Sequence, residues 1–176
     1  MIITITDEYG GMEKSILAGR LAASRALAGR KVLLLDADPR HATLRQPGLA
    51  RQAADGARPG VVARAISAKG LQPELEHLIT CYHDIVIDTE GRDSMGSRSA
   101  LIAARVVIIP IAGGHSDDTS RARLVQRITY ARLFNPGLRV LVVADDTTPV
   151  ISELVARIPA AVHTGIEQLY CAVFSQ

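Results

Sequence analysis

The sequence predicts an α/β fold, a doubly wound and mostly parallel sheet flanked by helices, and three observations predict it. Short β-branched apolar runs alternate with longer Ala/Leu/Arg segments. Several of those runs are apolar without alternation, as strands covered on both faces are. A strand, a helix and a second strand follow one another closely from the amino terminus, the pattern of a right-handed βαβ unit.

In chain order, the strands are expected at 2–6, 32–36, 85–88, 106–110 and 140–144. The first helix is expected over 15–28, with Gly29 as its C-terminal stop. Residues 41–60 carry Pro47, Gly48, Gly56, Pro59 and Gly60 and read as a mobile loop or broken helix. Pro73 starts a helix running to 80, and 97–104 reads as another. A longer helix over 117–134 sets Leu124, Ile128 and Ala131 on one side and Arg123 and Arg127 on another, and Asn135-Pro136-Gly137 stops it.

A chain of 176 residues with 48% hydrophobic content suffices for one domain with its own core, so 1–176 is read as a single domain. The net charge of +2 is too small to require a nucleic-acid partner by itself. Neither a secretory leader nor an apolar run of membrane-spanning length is visible, so a cytoplasmic protein is expected. Cys81 and Cys171 lack the spacing of metal ligands and read as buried, reduced thiols.

Ligands of such sheets bind beyond the carboxyl ends of the strands, which directs attention to four loops. They read YGGMEKS (9–15), DADPR (36–40), DTEGR (88–92) and PIAGGHSDD (110–118). In the first, a glycine pair leads into a helix start, where free N–H groups and the helix dipole favour phosphate. Lys14 then reaches the outer phosphates, and the Ser15 hydroxyl ligates Mg²⁺. Asp88 at the end of a neighbouring strand supports the metal, and Asp38 orients an attacking water. Either aspartate alone reads as a loop cap; together with Lys14 and Ser15 they read as a site.

These residues resemble the ParA/MinD family of deviant Walker-A ATPases. The family loop KGGxGK[ST] aligns with Tyr9-Gly10-Gly11-Met12-Glu13-Lys14-Ser15, and its DxDPQ strand end aligns with KVLLLDADPR. HDIVIDTEGRD and ARVVIIPIAGGHSDD match the third and fourth family segments. The resemblance runs over about residues 1–145. It implies a P-loop NTPase, Rossmann-like fold that binds ATP and Mg²⁺. It gives the nucleotide to Gly10, Gly11, Met12, Glu13, Lys14, Ser15 and Ile16, metal support to Ser15 and Asp88, and catalysis to Lys14 and Asp38. It further implies an ATP-dependent homodimer, nonspecific binding of double-stranded DNA, nucleoid association, and a ParB-type centromere-binding or other cargo adaptor as partner, in plasmid or chromosome partition or cargo positioning.

Two positions depart from the pattern. Tyr9 stands where the family has the lysine that crosses to the other subunit's nucleotide, and tyrosine supplies no positive charge, so hydrolysis is expected to be weak. Glu13 replaces a glycine; at about 5 Å and an effective dielectric near 20 its charge would cost on the order of 3 kcal/mol, about a hundredfold in affinity. A non-hydrolysing binding or regulatory module is the alternative these departures favour, and an empty loop with an ordinary first-turn glutamate is the plain reading of Glu13.

Arg121, Arg123, Arg127 and Arg132 on the long helix are candidates for DNA phosphates, with a solvated helix face as the plainer reading. The adenine contacts are not legible; Asp145 and Asp146 either face a base or cap the helix after Pro149. The carboxyl-terminal end looks shortened against the family, and it has no Lys or Arg beyond Arg157, so no membrane docking is expected.

Overall fold

The computed structural model describes residues 1–8, 12–40, 43–44, 60–67, 69–111 and 117–175, without the side chain of Met12. Tyr9, Gly10 and Gly11, most of 41–60, and 112–116 with Gly113 and Gly114 therefore lie outside the described residues.

Strand β1 (Ile2–Ile5) is followed by helix α1 (Met12–Leu27), β2 (Val32–Asp36), β3 (Val61–Ala65) and α2 (Leu71–Leu78). Then come β4 (Asp84–Asp88), α3 (Met95–Ala103), β5 (Val106–Pro110), α4 (Asp118–Phe134), β6 (Arg139–Val143), α5 (Pro149–Arg157), β7 (Ala161–Thr164) and α6 (Leu169–Phe174). The strands form one sheet in the order β3-β2-β4-β1-β5-β6-β7, and every pairing is parallel. The expected doubly wound α/β architecture is the observed one.

Side chains of the central strands alternate between two apolar layers, as the two-residue strand period requires. Ile3, Ile5, Leu34, Val86 and Ile108 meet α1 and α6, including Leu17, Leu21 and Val173. On the other face Leu33, Leu35, Ile85 and Ile87 meet α2. Farther along that face Val107, Ile109, Val140 and Val142 meet α4 and α5. Each fully buried Leu or Ile stabilises the fold by roughly 1.5–3 kcal/mol relative to exposure.

Local chemistry sets the helix ends. Ser94 and Ser97 form a reciprocal capping box before α3, and the Asp117 carboxylate accepts the Ser120 N–H at 2.8 Å before α4. Thr148 caps α5, with Pro149 at its first position. Gly29 takes φ +80° after α1 and donates its N–H to Ala26 O at 2.9 Å, the left-handed stop expected there.

Two strands escape the sequence pattern, β3 and β7, and both are edges. Each shows burial at one end only, so neither has the unbroken apolar run of a central strand. The cysteines are the second departure. Both are exposed: Cys81 lies in the turn after α2, and Cys171 stands on α6 two residues from each of the buried Leu169 and Val173, hence on the other side.

Candidate functional site

Lys14 and Ser15 occupy the first turn of α1, directly after the glycine pair, and β4 brings Asp88 to them. Lys14 Nζ lies 3.1 Å from Asp88 Oδ1, and Ser15 Oγ donates to Asp88 Oδ2 at 2.6 Å. The Thr43 hydroxyl donates to the same Oδ2. All four side chains are buried, Lys14 at 1% exposure and Asp88 at none. An ammonium so deep is tolerable only with an anion beside it.

Asp36 and Asp38 shape the neighbouring loop. Asp36 accepts the Asp38 and Leu44 N–H groups at 3.1 and 3.2 Å, an arrangement that turns the chain after β2 back over the strand ends. Asp38 accepts from Arg40 through the backbone N–H at 2.9 Å and the guanidinium at 2.6 Å. Burial pushes the Asp38 carboxyl up, but the Arg40 hydrogen bonds and charge, with Lys14 beyond, outweigh it and hold the group below its ordinary value. Asp38 therefore stays ionised and is committed to Arg40.

Beside α1, on the β5 and β6 side, a cleft of about 750 Å³ opens between Ile16 and Arg20, the strand ends at Pro110 and Val143, and the start of α5 at Val150. Its size and largely apolar lining suit a small organic group. Glu13 lies on its rim with its side chain exposed to solvent. Asp146 lines it, and Asp145 accepts the Ile166 N–H at 3.2 Å, so the α5 cap is Thr148 and not either aspartate.

The basic face expected on α4 divides. Arg127 is buried: its guanidinium lies 2.6 Å from Glu8 and donates to Asp7 O and Arg92 O at 2.8 Å. Arg121 is buried too and pairs with Asp118. Arg132 is half-buried and donates to Leu138 O at 3.0 Å. Arg123 alone of the four is exposed. The correction has a simple cause: Arg127 is three residues after Leu124 and four before Ala131, so it belongs to the apolar side of the helix. Desolvation is the largest influence on the Glu8–Arg127 pair, raising the carboxyl and lowering the guanidinium from their ordinary values.

The structure thus brings Lys14, Ser15 and Asp88 together, sets Asp38 close by, places Ile16 and Glu13 at the cleft, and leaves Gly10 and Gly11 outside the described residues. Thr43 and the cleft walls at Val143 and Val150 are additions that the sequence pattern did not single out. Among the described residues no His/Cys/Asp/Glu cluster has a metal-binding arrangement, and no helix is long and apolar enough to cross a membrane. The donors at Asp88 are hydroxyl and carboxylate oxygens, which fit Mg²⁺.

A lysine-bearing helix start beside an aspartate-tipped strand, in a parallel sheet of this order, defines a P-loop type of α/β fold. Solved structures of other proteins share this fold. A protein from Corynebacterium diphtheriae superposes with TM-score 0.70 at 14% identity, covering 99% of each chain. A plasmid partition protein from Borrelia burgdorferi gives 0.60 at 18% identity over 93% of this chain and 88% of its own. Cobyrinic acid a,c-diamide synthase from Mycobacterium smegmatis with bound ADP and magnesium gives 0.66 at 18% identity over 88% and 79%. At these identities the likeness is one of fold. No protein-family model matches the chain, and no curated protein matches its sequence.

Proposed function

We propose that this chain is a nucleotide-binding protein of the partition or positioning type, taking ATP with Mg²⁺ at the Lys14 loop and hydrolysing it weakly. The observation that carries the reading is the Lys14–Ser15–Asp88 cluster at the start of α1, with the cleft opening on the other side of that helix. A phosphate at the helix start offers Lys14 a second anion, so the ammonium exchanges Asp88 for phosphate oxygen. Asp88 and Ser15 are the residues that would hold Mg²⁺, which would supply charge neutralisation for the phosphates. The cleft beside Ile16 takes the base. The magnesium-bound diamide synthase and the partition protein of the same fold support this reading by analogy.

The same reading includes an ATP-dependent homodimer, nonspecific duplex DNA binding and a ParB-type or other adaptor. With Arg121 and Arg127 buried, the α4 contribution to DNA reduces to Arg123 and the half-buried Arg132. A second reading, a binding module without turnover, is favoured by the hold of Arg40 on Asp38 and by Tyr9 in place of lysine. Calorimetric titration with ATP and Mg²⁺ tests the first claim. Binding in the wild type that is lost in Lys14→Ala is expected; equal binding in both, or none in the wild type, refutes the nucleotide reading. Release of phosphate by the same samples then separates the switch from the module. Glu13 is exposed, so at about 5 Å and a water-like dielectric its charge opposes phosphate by only about 0.8 kcal/mol. Glu13→Gln is therefore expected to tighten ATP about fourfold, not the hundredfold that a buried carboxylate would give.

A further inference from the structure

A second cavity, about 630 Å³, lies between α3 and α4 and, among the described residues, shares no lining residue with the cleft beside α1. None of Lys14, Ser15, Asp38 or Asp88 borders it. Its walls carry Arg92, Arg98, Arg123 and Arg127 against two carboxylates, Glu8 and Asp93, which leaves positive charge in surplus. Most of these cations are already engaged. Arg127 forms the floor with Glu8, Arg98 grips Asp93 through two bonds of 2.7 and 2.5 Å, and Arg92 pairs with Glu90 at 2.5 Å. Arg123 is different: it is exposed, and no hydrogen bond or ion pair joins it to another described residue.

Apolar surface stands next to this charge. Tyr130 is 48% exposed and Ile102 is 36% exposed, and both face the cavity, while Ser120 and Gln126 offer neutral hydrogen-bonding groups. A concave wall with one apolar side, a few convergent polar groups and an unspent guanidinium has the composition of a small-molecule site. With Arg92 paired to Glu90, one cation is left in excess, and that charge selects an anion over a neutral molecule. The volume of about 630 Å³ is that of a small-ligand site.

We infer that the α3–α4 cavity binds a small organic anion, its charged head on Arg123 and its apolar body against Tyr130 and Ile102. The inference does not depend on nucleotide binding. Phenyl phosphate is a suitable probe because it carries an anionic head and a flat apolar body; its binding is measured by calorimetry. Wild type is expected to bind with a Kd below about 1 mM. Arg123→Glu is expected to weaken this more than about tenfold, and Tyr130→Ala by about threefold to tenfold. Both side chains are exposed, and a thermal melt checks that each variant folds. Lys14→Met, or Ser15→Ala if that variant does not melt cooperatively, should bind the probe as the wild type does. Binding that survives Arg123→Glu but disappears with the Lys14 or Ser15 change assigns the phosphate to the α1 loop and overturns the inference. Loss in both kinds of variant, or no binding below about 10 mM, overturns it as well.

Discussion

Lys14–Asp88 and Arg127–Glu8 are both buried cation–carboxylate pairs, yet they are held in different ways. The Lys14 ammonium rests on one carboxylate oxygen, whose twin is shared by the Ser15 and Thr43 hydroxyls. The Arg127 fork spreads over Glu8, two backbone carbonyls and the Ser97 hydroxyl. A compact point charge with one partner can exchange that partner for another anion; a planar guanidinium pinned by main-chain carbonyls cannot without moving the chain. The difference separates an exchangeable centre from a clamp, although both look alike by burial alone.

The largest test of that contrast is removal of the clamp. Arg127→Ala leaves Glu8 buried without its counter-charge and frees two carbonyls, so a loss of about 3–5 kcal/mol is expected in urea denaturation. Replacing both partners, Arg127→Met with Glu8→Leu, is expected to recover most of it. A single substitution costing under about 1 kcal/mol would remove the clamp from the account. Lys14→Ala should destabilise less than Arg127→Ala, because Asp88 keeps its two hydroxyl donors while any binding that depends on the ammonium is lost. The reverse order of stabilities would make Lys14 the structural residue.

A titration sharpens the comparison. Glu8 is raised above its ordinary 4.5, chiefly by burial, so the folded state holds that proton more tightly than the unfolded chain does. Its contribution to stability accordingly falls as pH rises from about 4.5 through the folded value and is level above it. Asp38 is shifted the other way, below its ordinary 3.8, and its contribution is full above that pH and drains away as pH falls through the folded value. Urea midpoints measured between about pH 3 and 7 should lose the upper slope in Glu8→Gln and the lower one in Asp38→Asn. The smallest effect expected is at the far end of α1. Gly29→Ala meets no atom within 4 Å, so it costs only the left-handed backbone conformation, about 1 kcal/mol, read as a shift of a few degrees in Tm.

How much was legible follows from what each residue had to satisfy. Central strands buried on both faces announced themselves as unbroken runs such as VLLLD and VVIIP, whereas β3 and β7 need only one covered end and left no such run. The meeting of Lys14 and Ser15 with Asp88 was legible because their positions follow from the strand ends before them. Thr43 was not, since its approach to Asp88 is set by the turn that Asp36 organises through Asp38 and Leu44. The charge of Arg127 suggests a solvated face, whereas its spacing from Leu124 and Ala131 sets it on the buried side of the helix. The cleft is assembled from α1, two strand ends and α5, and no local pattern reports such a meeting.

The position of β1 has a consequence for how the molecule comes together. Its two neighbours are β4 and β5, with Ile2 opposite Ile85 and Ile3 opposite Val106. The first strand in sequence is therefore among the last to be secured, because both of its ladders close loops of eighty residues or more. Such long-range parallel pairing puts folding in the slow range of topology-limited chains. Asp88 stands opposite Ile5 in the first of these ladders, so the centre it forms with Lys14 matures late. A chain interrupted before residue 106 would possess every residue of the Lys14–Asp88 centre and still lack one of the two ladders that hold it in place.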